Sequence, residues 1–130
     1  MGASFCVVFE TEVPPHGTLG GDNPMLLRRQ RKLDRLATGA GLTPLGAFES
    51  YDPEDAADFL DDEQLASLPP VCWFAAADGL AAVRGLITHL SANTAAIADQ
   101  AKVLAELEEV AAELANAEQA GVRFRFAVVP

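Results

Sequence analysis

The residues with the clearest capacity for chemistry lie at predicted junctions between elements. His16 lies in the proline- and glycine-rich stretch 14–22, and an imidazole in a loop beside a pocket can act as a general base or a ligand. Trp73 and Asp78 belong to the run Trp-Phe-Ala-Ala-Ala-Asp-Gly-Leu, where small alanines after two aromatic residues leave room for a crevice at a helix start. We therefore predict a pocket near His16, Trp73 and Asp78. A tryptophan packed in the core is the alternative interpretation of Trp73.

The stretch 14–22 also joins a predicted strand to a helix start, a geometry that can hold an anion. Its glycines form neither a dinucleotide fingerprint nor a P-loop, so a flexible crossover is the competing interpretation. No Cys/His cluster has zinc spacing, and the acidic run 61–63 lacks the alternating ligands and the glycine of a calcium loop. We therefore expect no metal and no cofactor. Whether the chain is an enzyme stays open, and the lack of a catalytic signature weighs against it.

Composition narrows the class of protein. The chain has 130 residues, half of them hydrophobic, which is enough for a single domain over 1–130 with its own core. Its formal net charge of −10 argues against a nucleic-acid partner or an anionic membrane surface, because both require clustered positive charge. The two cysteines cannot make a disulfide scaffold, and the first residues lack the pattern of a secretory signal. These features predict a cytoplasmic protein with no membrane association.

The periodicity of apolar residues predicts four strands and several helices. Strand patterns occupy 4–13, 43–51, 71–75 and 122–129. Helical patterns occupy about 24–38, 78–90 and 94–120, with Asn23 and Asp78 as predicted N-caps and a break near 91–93. A short acidic helix is expected after Asp52. This order is that of an α+β, ferredoxin-like (split β-α-β) two-layer sandwich, with a four-stranded antiparallel sheet, helices on one face and an acidic helical insertion between strands 2 and 3.

In that arrangement the first and last strands are antiparallel neighbours. A register in which paired residue numbers sum to 135 places Glu10 opposite Arg125 and Glu12 opposite Arg123. Opposite charges and apolar pairs then face each other, as cross-strand energetics favour.

One face of these two strands carries phenylalanines and should pack on the helices. The other face, here called the outer face, carries Cys6, Val8, Ala127 and Val129. A two-layer fold leaves this apolar face in water, and contiguous apolar surface marks partner sites. We therefore expect either a second subunit or a segment of the chain to cover the outer face.

These observations predict a small soluble bacterial-type protein that is a non-catalytic interaction or regulatory module and self-associates, most simply as a homodimer. Another protein is the second candidate partner. A small-molecule-binding protein or small enzyme of the dimeric ferredoxin-like barrel type is one alternative function, although analogy of fold is weak support for function. An acidic inhibitor of a basic partner, comparable to an immunity protein, is another. The identity of any ligand or partner stays open.

Overall fold

The computed structural model describes residues 3–53, 60–67 and 69–129. Within these ranges the chain forms strands β1 (Ser4–Val13), β2 (Gly17–Leu19) and β3 (Phe124–Val129) and helices α1 (Pro24–Gly39), α2 (Asp62–Ser67), α3 (Ala76–Ala92) and α4 (Gln100–Ala120). A 3₁₀ helix occupies Leu45–Phe48. The predicted α+β class is therefore confirmed. Nowhere in the described ranges does a helix have both the length and the hydropathy needed to cross a bilayer.

The three long helices lie where they were predicted, except that α4 begins at Gln100 rather than near 94. Helix α1 begins at Pro24, α3 ends in the predicted break, and Gly121 ends α4 with a φ of 70°, a conformation that glycine adopts without strain. Helix α3 begins at Ala76, two residues earlier than predicted, with Ala75 as its N-cap. Asp78 is therefore not the N-cap but lies in the first turn, where its carboxylate favours the positive end of the helix dipole.

The predicted four-stranded ferredoxin-like sheet is wrong. The described residues form a three-stranded antiparallel sheet in the order β2-β1-β3. Strand β2 lies in the stretch 14–22, which was predicted to be a loop. It pairs with β1 as a hairpin. The predicted second and third strands contribute only isolated bridges to β3, at Glu49 and at Phe74.

Local bonding explains why those two segments are not strands. Residues 45–48 turn into a 3₁₀ helix because the Asp34 carboxylate accepts hydrogen bonds from the backbone N–H groups of Leu45 (2.9 Å) and Gly46 (3.3 Å). Residues 71–75 lie between two prolines and the start of α3, which leaves only Phe74 to exchange backbone hydrogen bonds with Phe124, at 2.8 and 3.0 Å. Single bridges thus occupy the free edge of β3.

Strands β1 and β3 lie side by side and antiparallel, but the register differs from the predicted one by two residues. Val8 is opposite Arg125 and Phe9 is opposite Phe124. The guanidinium of Arg123 therefore binds the carboxylate of Glu10, at 3.0 and 2.6 Å, while Glu12 is exposed. A shift of two residues leaves every side chain on its own face, so the alternation pattern could not distinguish the two registers.

The partner of Arg125 decides between them. Arg125 is 6% exposed and its guanidinium donates to the carbonyl oxygen of Ser50 at 2.6 Å. The indole ring of Trp73 lies over the same guanidinium, 5.2 Å from its central carbon. A buried arginine needs such partners. Both partners lie outside β1 and β3, so the pattern of those two strands alone could not reveal them.

The predicted acidic insertion is described only in part. Ala56, Ala57 and Phe59 of the expected helix lie outside the described residues, while helix α2 follows them. At its start the N–H of Gln64 donates to the Asp61 carboxylate at 2.8 Å, and the N–H of Asp61 donates to the Gln64 side chain at 3.0 Å. This is a reciprocal capping box, so Asp61 has a structural role at the head of a helix.

The core lies between the sheet and the helices. Its sheet side consists of the predicted inner-face residues, all 2% exposed or less: Phe5, Val7, Phe9, Phe124 and Phe126. Val128, expected on the same face, is half-buried. Gly79 of α3 lies so close to Phe124 that a Cβ there would be 2.2 Å from the ring. Glycine at this position allows the helix to approach the sheet.

Gly79→Ala therefore tests the helix–sheet contact. We expect it to lower the free energy of unfolding by about 1–3 kcal/mol, because the fully buried ring of Phe124 has no room to move. Gly39→Ala is the control, since a Cβ at Gly39 would meet nothing within 4 Å and should be neutral or slightly stabilising. Urea denaturation of the three proteins measures both effects, and equal stability of the two variants would contradict the packing described.

Candidate functional site

The structure separates the three predicted pocket residues. His16 stacks on Phe9, with ring centroids 6.1 Å apart, on the helix side of the sheet. Trp73 lies over Arg125, and Asp78 is exposed in the first turn of α3. Among the described residues no hydrogen bond or ring contact joins His16, Trp73 and Asp78. They do not form one pocket.

The glycine-rich stretch does hold anions, but they are carboxylates of the same chain. The Gly21 N–H donates to Oε2 of Glu113 at 2.7 Å. At the start of α1 the N–H groups of Met25 and Leu26 donate to the two carboxylate oxygens of Glu106, at 3.2 and 2.9 Å. The donors that could bind a phosphate are therefore occupied.

Asn23 has a different role from the predicted one. Its side chain makes no cap bond to α1. Instead its Nδ2 donates to the carbonyl oxygen of Phe5 at 2.9 Å, and its backbone N–H donates to Oγ of Ser4 at 2.7 Å. Asn23 therefore joins the chain before α1 to the start of β1. Glu106 of α4 caps α1 instead.

The most unusual polar cluster lies between α4 and residues 17–21, a segment here called the strap. Glu113 is 7% exposed, and its Oε1 is buried with no hydrogen-bond partner among the described residues. Gly20 of the strap lies against the carboxylate, since a Cβ there would be 2.7 Å from each oxygen. One helical turn further on, Nδ2 of Asn116 is 2.9 Å from Nε2 of His16. Glu113 thus holds the strap on α4, and Asn116 holds the neighbouring residue His16.

Opposing influences act on the pKa of Glu113, and the net effect raises it. Burial raises the pKa of Glu113, and the neighbouring charge of Glu109 adds to that effect. The hydrogen bond from Gly21 and the imidazole of His16 act in the opposite direction and lower the pKa. A buried carboxyl with a raised pKa is a recognised feature of functional sites, and of some structural networks.

A second feature is a shallow open depression of about 390 Å³ between α1 and the 3₁₀ helix. Its polar lining includes Asp34 and Arg35. Burial raises the pKa of Asp34, and its two oxygens already accept the N–H groups of Leu45 and Gly46. The Asp34 carboxylate therefore stabilises the 3₁₀ helix.

Groups suited to metal binding do not assemble in the part of the chain that the structure describes: no three His, Cys, Asp or Glu side chains come together there. Both cysteines are free thiols; Cys6 is buried and Cys72 is exposed. Burial raises the pKa of the Cys6 thiol, which disfavours the nucleophilic thiolate.

The outer face is more covered than predicted at its centre and open at one side. Cys6 and Ala127 are 1% and 4% exposed, while Val8 and Val129 are half-buried. Leu19 of β2 is opposite Val8 and therefore belongs to the same face. It is 45% exposed, so the accessible apolar part of the outer face is Leu19, Val8 and Val129.

Comparison of the chain with protein-family models, with curated proteins and with solved structures found no match.

Sequence reasoning missed Glu106, Glu113 and Asn116, although one signal was present. Glu106 and Glu113 are seven residues apart and flank the apolar stripe of α4, so both lie at the border of its buried face. Carboxylates at that border can reach neighbouring backbone donors. Nothing local shows which donors they meet.

Glu106→Ala tests the capping of α1 from α4. We expect the free energy of unfolding to fall by about 0.5–2 kcal/mol, because two N–H groups at the helix start lose their acceptor. Glu108→Ala is the matched control, as Glu108 is exposed on the same helix. Thermal or urea denaturation reports both, and the capping role is refuted if the two variants lose the same stability.

Glu113→Gln tests the buried charge. The pKa of Glu113 is raised in the folded state, so its favourable contribution is fully present below the unfolded value near 4.5 and is lost as the pH rises through the folded value. The stability of the wild type relative to Glu113→Gln should therefore decrease as the pH rises above about 4.5. Glu108→Gln, on an exposed residue of the same helix, should follow the wild type in urea titrations at each pH. A constant difference between wild type and Glu113→Gln would contradict the assignment.

Proposed function

We propose that this protein is a non-catalytic interaction module that self-associates as a homodimer through its outer face. The observation that carries the proposal is Leu19, which is 45% exposed on an apolar surface shared with Val8 and Val129. Full burial of an exposed leucine is worth about 1.5–3 kcal/mol, and Leu19, which is 45% exposed, retains roughly half of that for an interface.

The charges at one end of the outer face favour a second copy of this chain as the partner. Glu10 and Arg123 face each other across β1 and β3, with 31% and 57% of their side chains exposed. A twofold axis parallel to the strands, placed between β1 and β3, stacks Glu10 of one copy on Arg123 of the partner subunit, and the reverse. An isologous interface requires this kind of self-complementarity, and sheets that stack face to face keep their strands roughly aligned.

The same axis gives Leu19 an apolar neighbour. Strand β2 lies beside β1 on the side away from β3, whereas Trp73 lies over Arg125 of β3. The twofold operation therefore places Leu19 of one copy near Trp73 of the partner subunit. Trp73 is half-buried, so part of its ring is accessible for that contact, and tryptophan is enriched where interfaces gain most of their energy.

The polar groups support a binding role rather than a catalytic one. Glu106, Glu113 and Asp34 each accept backbone N–H groups of neighbouring segments, so their carboxylates act within the fold. The alternative of a dimeric ferredoxin-like barrel depends on a four-stranded sheet, and the sheet has three strands in the described residues. A cytoplasmic location is part of the proposal, supported by the free thiols of Cys6 and Cys72.

Leu19→Asp tests the association surface. We expect the wild type to dimerise with rising concentration and the variant to bind itself about 10- to 100-fold more weakly, because an interface leucine is replaced by a charge. Thr18→Asp is the matched control: it adds the same charge one residue away, and alternation places Thr18 on the other face of the strand.

Sedimentation velocity from about 10 µM to about 1 mM measures all three proteins. A wild type that remains monomeric throughout this range would overturn the proposal. Equal weakening by Leu19→Asp and Thr18→Asp would also overturn it, since the effect would then not depend on the outer face.

A further inference from the structure

The strap combines features of a conformational latch. Gly20 donates its N–H to the Val7 carbonyl oxygen at 2.8 Å, and Gly21 donates to Glu113 at 2.7 Å. Gly17 begins the strap with a φ of 72°. Glycines at 17, 20 and 21 give this short segment unusual backbone freedom, while β2 and the bond from Gly20 to Val7 pair it with the sheet.

The carboxylate beneath the strap is poorly solvated for a charge. One oxygen of Glu113 has a single backbone donor and the other is buried without a partner in the described residues. A buried ion with incomplete hydrogen bonding is costly, whereas the neutral acid is not. Opening the strap would admit water to the carboxylate. Hydration would stabilise the ionised form of Glu113 more than the neutral form.

The groups around Glu113 do not supply a fixed counter-charge. His16 of the β1–β2 turn and Glu109 of the same helix act on it with opposite signs. Asp22 follows Gly21 in the chain, and the Cys6 thiol of β1 is electrostatically coupled to both Asp22 and Glu113.

We propose that Glu113 is a proton-sensitive latch: the neutral carboxyl keeps the strap closed on α4, and ionisation favours an open strap in which water reaches the carboxylate. Leu19 is part of the strap, so opening also displaces the residue on which dimerisation depends. Only this second consequence rests on the proposed self-association.

Amide hydrogen exchange measured by nuclear magnetic resonance tests the latch directly. In the wild type, the protection factors of the Gly20 and Gly21 amides should fall as the pH rises above about 4.5, by up to about tenfold for each pH unit, because the carboxyl of Glu113 ionises more easily in the open state. The Phe124 amide, which donates to the Phe74 carbonyl oxygen at 3.0 Å, is the internal reference and should keep its protection. Glu108→Gln, on an exposed residue of α4, should behave as the wild type, and Glu113→Gln should lose the pH dependence.

Constant protection of both glycine amides in the wild type would overturn the latch, without need of any variant. An equal fall in Glu113→Gln would overturn it as well. Sedimentation of the wild type over the same pH range judges the second consequence: dimerisation that weakens as the pH rises supports it, and a dimer of constant affinity overturns it. A wild type that stays monomeric refutes the proposed function while exchange still decides the latch.

Discussion

The fold depends on carboxylates of one helix that accept backbone N–H groups of another segment. Glu106 and Glu113 of α4 bind the start of α1 and the strap, and Asp34 of α1 binds the start of the 3₁₀ helix. Backbone donors at helix ends and in loops need an acceptor when they are buried. Because these three acceptors are ionisable, the stability of the contacts between elements depends on burial and charge as well as on packing.

This constraint also shapes what the molecule can do. The stretch 14–22 and the start of α1 have the best local geometry for anion binding. Their donors bind carboxylates of the same chain, so these contacts stabilise the fold. The surface left for partners is the outer face, whose exposed leucine lies on the strap. The strap therefore belongs both to the buried carboxylate cluster and to the accessible apolar surface through which we propose that the chain self-associates.

The successes and errors of the sequence predictions have distinct physical origins. The inner face of Phe5, Val7 and Phe9 was predictable because strand side chains alternate with a period of two. The register was not, because a shift of two residues preserves that alternation, and the deciding contact of Arg125 is to Ser50, 75 residues away. The predicted strand over 43–51 failed because Asp34, eleven residues before Leu45, provides the acceptor for a tight turn instead.

By itself, the amino-acid sequence determined the helices, the two long strands and their buried faces, because periodicity, proline at a helix start and glycine at a helix end act within a few residues. Tertiary structure alone decided the three-stranded sheet, the register and the Glu113 cluster. Those features join residues far apart in the chain, such as Gly21 and Glu113, 92 residues apart. Their energies depend on which groups folding brings together and removes from water, and no local pattern encodes that.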